Sequence, residues 1–358
     1  MSSYINLEDL FQETARKLVK RSSRESLDDI IAEFYMAELE NPTVKEVFEE
    51  WNDRRLELKK ISDASHLRNR QIFNRHYKEF GKRKIKSLSV DELEDFLEEQ
   101  IPEHNLTAKA FSNLKTVTRG FLKRAKKRKL INFSVEDVFV ELDTSDADFN
   151  KVIKEDYEEV FDEEEMSTMV RYLESHLDTQ NLGILFMFVT GIRVGELVAL
   201  RHDVFDGNAF KIRRTETRYL GEDKKYVYEI KEYPKTEAGV RTVVVPDDYA
   251  WLCSKIRMLN PFGEYVFVDS TGKRMTTNCM RSRLRRICSK LGIYHKSPHK
   301  IRKTYGTILF DNNVDNRLIL DQMGHADVIV GETHYHRNRK TIEKKSYILS
   351  SIPDFKAQ

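Results

Sequence analysis

Apolar residues in the first 130 positions recur every three or four residues, the period of helices that bury one face. Leu7, Leu10, Phe11, Ala15 and Leu18 predict an amphipathic N-terminal helix within residues 1–40. Asn41-Pro42-Thr43 reads as a fresh helix start, and Val44, Val47, Phe48 and Trp51 carry the same spacing onward. A second helix is expected over 65–80, with Arg68, Arg70, Arg75 and Lys78 on it. A third begins near Ser89, whose hydroxyl and the Glu92 carboxylate have the spacing of a capping box. A fourth, over 107–129, places Phe111, Leu114, Val117, Thr118, Phe121 and Leu122 on one face and its lysines and arginines on the rest.

The pattern changes in the second half. Asp162 is a natural N-cap for a helix beginning Glu163-Glu164-Glu165. The apolar run 183–189 predicts a buried helix that stops at Gly191, a natural C-cap. Arg193 then opens the next helix, where unpaired amides and the dipole favour an anion, and Glu196 lies one turn further on. Phe210-Lys211-Ile212, residues 226–230 and residues 241–245 alternate or are β-branched, which predicts one small antiparallel sheet. Lys235 falls in the turn before its last strand. Helices resume near Tyr249, over 276–291 and from His299 through Phe310.

The chain has 358 residues and a net charge of +2, enough for two domains with real cores. The total charge is uninformative, but its distribution is not. Residues 106–132 hold nine Lys/Arg and no acid, residues 271–303 hold eleven and no acid, and residues 155–165 hold eight acids and no base. Segregated positive charge is the footprint of a polyanionic partner. Three cysteines, Cys253, Cys279 and Cys288, have no paired spacing. This argues for a reducing cytoplasm and against a disulfide frame or zinc site. No run of apolar residues is long enough to span a membrane, and the N-terminus lacks a signal-peptide pattern.

The candidate chemistry is spread over the second half. Arg193 stands in Thr190-Gly191-Ile192-Arg193-Val194-Gly195-Glu196-Leu197, Lys235 in Pro-Lys-Thr, and His299 and Arg302 in His-Lys-Ile-Arg. His325 follows Met323-Gly324, and Tyr335 comes ten residues later. Two arginines, a lysine and two histidines can hold a phosphodiester, and a tyrosine hydroxyl can attack it. Arginine suits the task because its planar fork meets phosphate oxygens in pairs and stays charged. The order Arg, Lys, His-x-x-Arg, His, Tyr, over roughly residues 150–345, resembles the tyrosine recombinase (phage integrase) family.

That resemblance implies a mainly α protein with a small antiparallel β-sheet. A helical core-type DNA-binding domain would occupy 41–143, a linker 144–160, and a mixed α+β catalytic domain with a C-terminal tail 161–358, behind the extension 1–40. It implies double-stranded DNA as partner and a covalent 3′-phosphotyrosyl link through Tyr335. Arg193 and Arg302 would clamp the phosphate, His299 would handle protons, His325 would donate to the phosphate and Lys235 would protonate the leaving 5′ oxygen. No cofactor is expected. Lys231 is a weaker competitor for Lys235, and Tyr347 for Tyr335. The family's N-terminal arm-binding sheet has no counterpart in the helical pattern of residues 1–40. Apolar residues of the tail, including Ile342, Tyr347 and Leu349, fit a tetramer assembled on DNA as well as packing in cis; an accessory directionality protein would be a further partner. His334 and His336 flank Tyr335 and resemble a metal pair with His325, but no carboxylate or thiol stands nearby at ligand spacing, and no metal is expected. The competing functions are a DNA-binding protein with a vestigial site, which six unsubstituted positions argue against, and a type IB topoisomerase-like strand transferase.

Overall fold

The structure is a computed structural model that describes residues 41–140, 142, 144, 146–152, 154–221, 223, 225–232, 239–324, 337–340 and 342–351. The helix expected within 1–40 lies outside these residues. The described chain is mainly helical with short antiparallel strands, and it divides into two compact units on either side of the Val152–Ile153 link. That division falls inside the expected linker 144–160. Among the described residues no helix is long and apolar enough to cross a membrane.

The first unit has four principal helices. Helix α1 (Val44–Glu57) begins at Thr43, whose hydroxyl accepts from the Glu46 amide at 3.2 Å while the Glu46 carboxylate accepts from the Thr43 amide at 2.6 Å. Helix α2 (Asp63–His76) is shorter than the expected 65–80. The buried Tyr77 leaves helical geometry there, and Phe80 starts a separate 3₁₀ turn that brings its ring to 4.2 Å from that of Phe96. Helix α3 (Val90–Glu103) has the expected Ser89–Glu92 capping box. Helix α4 (Ala108–Lys127) buries the whole expected face, from Phe111 to Leu122. The Tyr77 hydroxyl and Thr118 Oγ1 share a hydrogen bond of 2.6 Å inside this core, so neither polar group is buried without a partner.

The described residues between 138 and 150 stay with this unit. Val138 and Leu142 are buried, Phe149 lies 5.6 Å from Phe111, and the Asn150 amide donates to the Leu106 carbonyl at 2.9 Å. The basic face of α4 is partly neutralised from within. Arg124 and Arg128 close on Glu50, and Arg119 and Lys123 on Glu136. Partly exposed pairs of this kind are weak, so they compete little with phosphate for the same side chains.

The second unit is built around α6 (Thr179–Thr190). It packs against α5 (Glu163–Ser175), which Asp162 caps as expected, and against α8 (Ala250–Arg257), α9 (Thr277–Leu291) and α10 (Pro298–Asp311). Phe186 and Phe188 are fully buried in it, each worth about 1.5–3 kcal/mol relative to exposure. Gly191 ends α6 in the left-handed region at φ 65°, and the single turn α7 (Val194–Leu197) follows. Helices α11 (Asn316–Met323) and α12 (Ile342–Ser351) complete the described elements.

The strands form two sheets rather than the one expected. Strands β1 (Phe205–Asp206), β2 (Ala209–Ile212) and β5 (Arg241–Val244) make one, in the order β1-β2-β5. Strands β3 (Thr215–Leu220) and β4 (Tyr226–Lys231) make a separate ribbon, paired from Thr215↔Lys231 to Leu220↔Tyr226. Burial explains the split. β2 and β5 alternate between buried and exposed positions and send Phe210, Ile212 and Val243 into the core. The ribbon has no such buried face. Strand β3, Thr-Glu-Thr-Arg-Tyr-Leu, has no apolar alternation to announce it, so the partner of β4 was invisible to a periodicity reading.

Candidate active site

Helix α10 carries His299 and Arg302 three residues apart, which puts them on one face a turn apart. Arg302 is fully buried. One of its terminal nitrogens donates to the Gly191 carbonyl at 2.9 Å and the other to the carbonyl of Met323. Arg193, at the start of α7, donates to the carbonyl of Gly324 at 3.5 Å. A third arginine completes the set: Arg241, on β5, donates through Nε to the carbonyl of Gln322 at 2.9 Å. Three consecutive carbonyls at the end of α11 therefore receive three guanidinium groups. A helix C-terminus exposes carbonyl oxygens that bear partial negative charge, which accounts for the convergence. Each guanidinium offers five N–H groups, and the partly exposed Arg193 keeps donor capacity for an incoming anion.

Glu196 joins two of these arginines. Its carboxylate accepts from the Arg193 amide at 2.9 Å and from Arg193 Nη1 at 2.8 Å. It also takes a bidentate pair from Arg241, at 3.0 and 2.8 Å. Burial of Glu196 disfavours its charge, but the hydrogen bonds and charge of Arg241, then the charges of Arg193 and Arg302, outweigh it and hold the pKa down at about 2. The anion expected at the start of this helical turn is thus the protein's own carboxylate. The Arg193 side chain remains 41 % exposed, whereas those of Glu196 and Arg241 are 3 % and 4 % exposed.

His299 lies at the open end of the group. Loss of solvent around its ring, followed by the positive charges of Arg302, Lys300, Arg193 and Lys303, pushes its pKa down to about 4. The residue as a whole is solvent-exposed, which weakens the first cause and leaves the cationic neighbours as the firmer one. At neutral pH the imidazole is uncharged and can accept a proton.

The acidic run 155–165 meets this helix directly. Residues Asp156–Glu159 form a helical turn within the expected linker. The carboxylate of Glu159 receives both Lys300 and Lys303. Its burial is outweighed by the hydrogen bonds and charges of these lysines, which lower its pKa to about 2. The Phe161 amide donates to Thr304 Oγ1 at 2.8 Å, and the buried Arg339 donates to the Phe161 carbonyl at 3.1 Å. Lys296 is buried against Glu165 at 2.7 Å. Arg274 and Arg283 of the second basic run pair with Glu216 and Asp178. Much of the charge segregation seen in the sequence is therefore internal complementarity. What remains outward includes Arg281, Arg285, Arg286 and Lys290. Arg281 and Arg285, with Arg218 of the ribbon and His295, line an open cleft of about 470 Å³ whose described lining contains no acid.

Lys235, His325 and Tyr335 lie outside the described residues, as do His334 and His336. The described chain brackets them: Lys231 ends β4 and Arg241 opens β5 on either side of Lys235, while Gly324 and Arg337 stand on either side of His325 and Tyr335. The structure thus brings Arg193, His299 and Arg302 together, pairs Arg193 with Glu196 one turn on, and adds Arg241 and Glu159. The sequence marks Arg241 only as the start of a strand, and a charged residue opening an alternating β run is the one signal it offers.

Residues 159–341, just over half of the chain, match the phage integrase family. The chain belongs to this family. Among curated relatives of this integrase-family protein, a probable integrase of prophage ps2 from Lactococcus lactis is 27 % identical over 286 residues, 69 % of this chain and 73 % of the relative. A tyrosine recombinase XerD from Chlamydia muridarum is 27 % identical over 48 % of this chain and 54 % of its own length. Among solved structures, a Tn1549 transposon integrase in complex with a circular intermediate DNA aligns with a TM-score of 0.65 at 16 % identity, covering 86 % of this chain and 99 % of the other. A lambda integrase dimer bound to a core site aligns with a TM-score of 0.59 at 12 % identity, covering 93 % and 88 %. These two share the fold of this family member.

Proposed function

We propose that this integrase-family chain is a tyrosine-type site-specific DNA recombinase that integrates or excises a mobile element, with double-stranded DNA as its substrate and the cytoplasmic nucleoid as its place of action. The observation that carries the reading is the convergence of Arg193 and Arg302 on the carbonyls of Met323 and Gly324, beside His299 and immediately before His325. Positive charge fixed in advance around a transferring phosphoryl group is usually the largest catalytic contribution.

In this reaction the Tyr335 oxygen attacks the scissile phosphorus. A phenol is mostly neutral at pH 7, so its proton must leave, and the uncharged His299 imidazole is the acceptor. Arg193 and Arg302 neutralise the non-bridging oxygens of the pentacoordinate transition state, and His325 donates a further hydrogen bond. The bond from phosphorus to the 5′ oxygen breaks, and Lys235 supplies that oxygen's proton. The phosphotyrosyl bond keeps the energy of the phosphodiester, so attack by a new 5′-hydroxyl reseals the strand. The outward basic side chains of α4 and α9 would bind the duplex backbone. Four protomers acting on two duplexes, held through the C-terminal tail, would carry out exchange, with an accessory protein setting its direction.

A nicked duplex carrying the junction sequence of the element tests this. The short strand released by cleavage diffuses away and traps the enzyme as an adduct that survives SDS. Tyr335→Phe is expected to abolish the adduct while leaving DNA binding close to that of the native protein. An adduct that persists in this variant would move the nucleophile elsewhere, with Tyr347 the next residue to replace.

A further inference from the structure

The reaction scheme leaves Glu196 unexplained. A buried carboxylate 2.8 Å from Arg193 would, if unopposed, cancel the charge of that arginine and repel the phosphate it is meant to bind. It is opposed by Arg241, which crosses from β5 to meet both of its oxygens. Arg241 is itself buried and is held further by the carbonyls of Gln322 at 2.9 Å and Gly239 at 3.3 Å. Its guanidinium donates to Glu196 and to the Gln322 and Gly239 carbonyls, so it stands behind the site.

We propose that Arg241 is a positioning residue for strand cleavage: it takes up the charge of Glu196, so that Arg193 keeps its own for the scissile phosphate. The proposal rests on the recombinase reading and concerns the same site. The charges give it substance. Arg193, Arg241 and Arg302 set three positive charges against the single negative charge of Glu196, an excess of two. A phosphodiester carries one negative charge, and its pentacoordinate transition state carries two. Removing Arg241 would leave an excess of one among these four side chains, a poorer match to the transition state's two charges than to the single charge of the phosphodiester. Interactions that matter only in the transition state appear in the rate of the chemical step and not in affinity. Arg241 also holds the end of α11, so both of its connections reach the phosphate through other residues.

The test compares cleavage of two nicked duplexes, one natural and one with a methylphosphonate at the scissile position. The methyl group replaces a non-bridging oxygen and removes one negative charge from the transition state. Arg241→Met is expected to slow cleavage of the natural duplex by about a hundredfold, in the range seen when a transition-state donor is lost, with DNA affinity little changed. Adding Glu196→Gln removes the carboxylate charge and should recover about tenfold, as coupled neighbours do. On the methylphosphonate duplex the Arg241→Met defect should nearly vanish. Arg241→Lys, which keeps the charge, should retain most of the natural rate. A variant equally slow on both duplexes, with no recovery from Glu196→Gln, would make Arg241 a packing residue only and overturn the proposal. So would a full natural rate in Arg241→Met. If Arg241→Met does not fold, the double variant and Arg241→Lys carry the same comparison, judged against circular dichroism of each protein. Failure of the native protein to form any adduct would instead strike the recombinase reading itself.

Discussion

Gly191 accepts a hydrogen bond from Arg302 at 2.9 Å, and each residue depends on the other for its place. Gly191 has φ 65°, and a Cβ built there would stand 2.2 Å from the Tyr305 ring, one turn beyond Arg302 on the same helix. Burial, offset by the charges of Arg302 and Arg241, raises the Tyr305 hydroxyl pKa to about 12.

Gly191→Ala should therefore lose stability twice, through left-handed backbone strain of about 1–2 kcal/mol and through overpacking of about 1–3 kcal/mol. Urea unfolding monitored by circular dichroism measures the sum. A midpoint equal to that of the native protein would mean that the end of α6 can relax without cost. Cleavage at permissive temperature should also drop, because the carbonyl that aims Arg302 is displaced.

His299 leads to a pH prediction. Its folded pKa of about 4 lies below the ordinary histidine value of 6.5. Between the two, the unfolded chain holds a proton that the folded chain has released. The contribution of His299 to stability is thus whole above 6.5 and is lost as pH falls toward 4. A DNA phosphate beside the ring favours the imidazolium and raises the pKa again. Binding should then take up a proton at pH 5–6, so that affinity weakens as pH rises through this window. Calorimetry in two buffers of different ionisation enthalpy reads the uptake directly. His299→Asn should abolish it; uptake unchanged in that variant would assign the proton to another group.

Lys235 and the arginines should separate when the leaving group changes. Replacing the bridging 5′ oxygen with sulfur removes the need for a proton on departure. Lys235→Ala should regain most of its cleavage rate on that substrate, whereas Arg193→Ala and Arg302→Ala should stay impaired by about 3–4 kcal/mol, the size of a lost oxyanion donor. Equal impairment of Lys235→Ala on both substrates would withdraw its role as the acid and bring Lys231 forward.

The local signals in the sequence translated well into structure. Ser89 and Asp162 cap the helices they precede, and Gly191 ends α6 just before Arg193 opens the next turn. Such signals depend on neighbours a few residues apart. Arg241 and Glu159 were opaque because their partners are distant, 45 residues away in the pair with Glu196 and 141 in the pair with Lys300. Uninterrupted blocks of one sign looked like surfaces for an external polyanion, yet the acidic block answers part of the second basic block within the same unit. Of the ribbon, residues 226–230 are legible as a strand but β3 is not, because it has no buried face to impose an apolar alternation.

The Glu159 contact has a mechanical meaning as well. The chain enters the second unit just before this residue, and Glu159 grips α10 through Lys300, the neighbour of His299, and Lys303, the neighbour of Arg302. Phe161 adds a backbone bond to Thr304 on the same helix. A pull on the connection from Val152 would thus be delivered to the helix that bears His299 and Arg302, before it reached the core around α6. The entry segment is thus moored to the helix of His299 and Arg302 ahead of the rest of the unit.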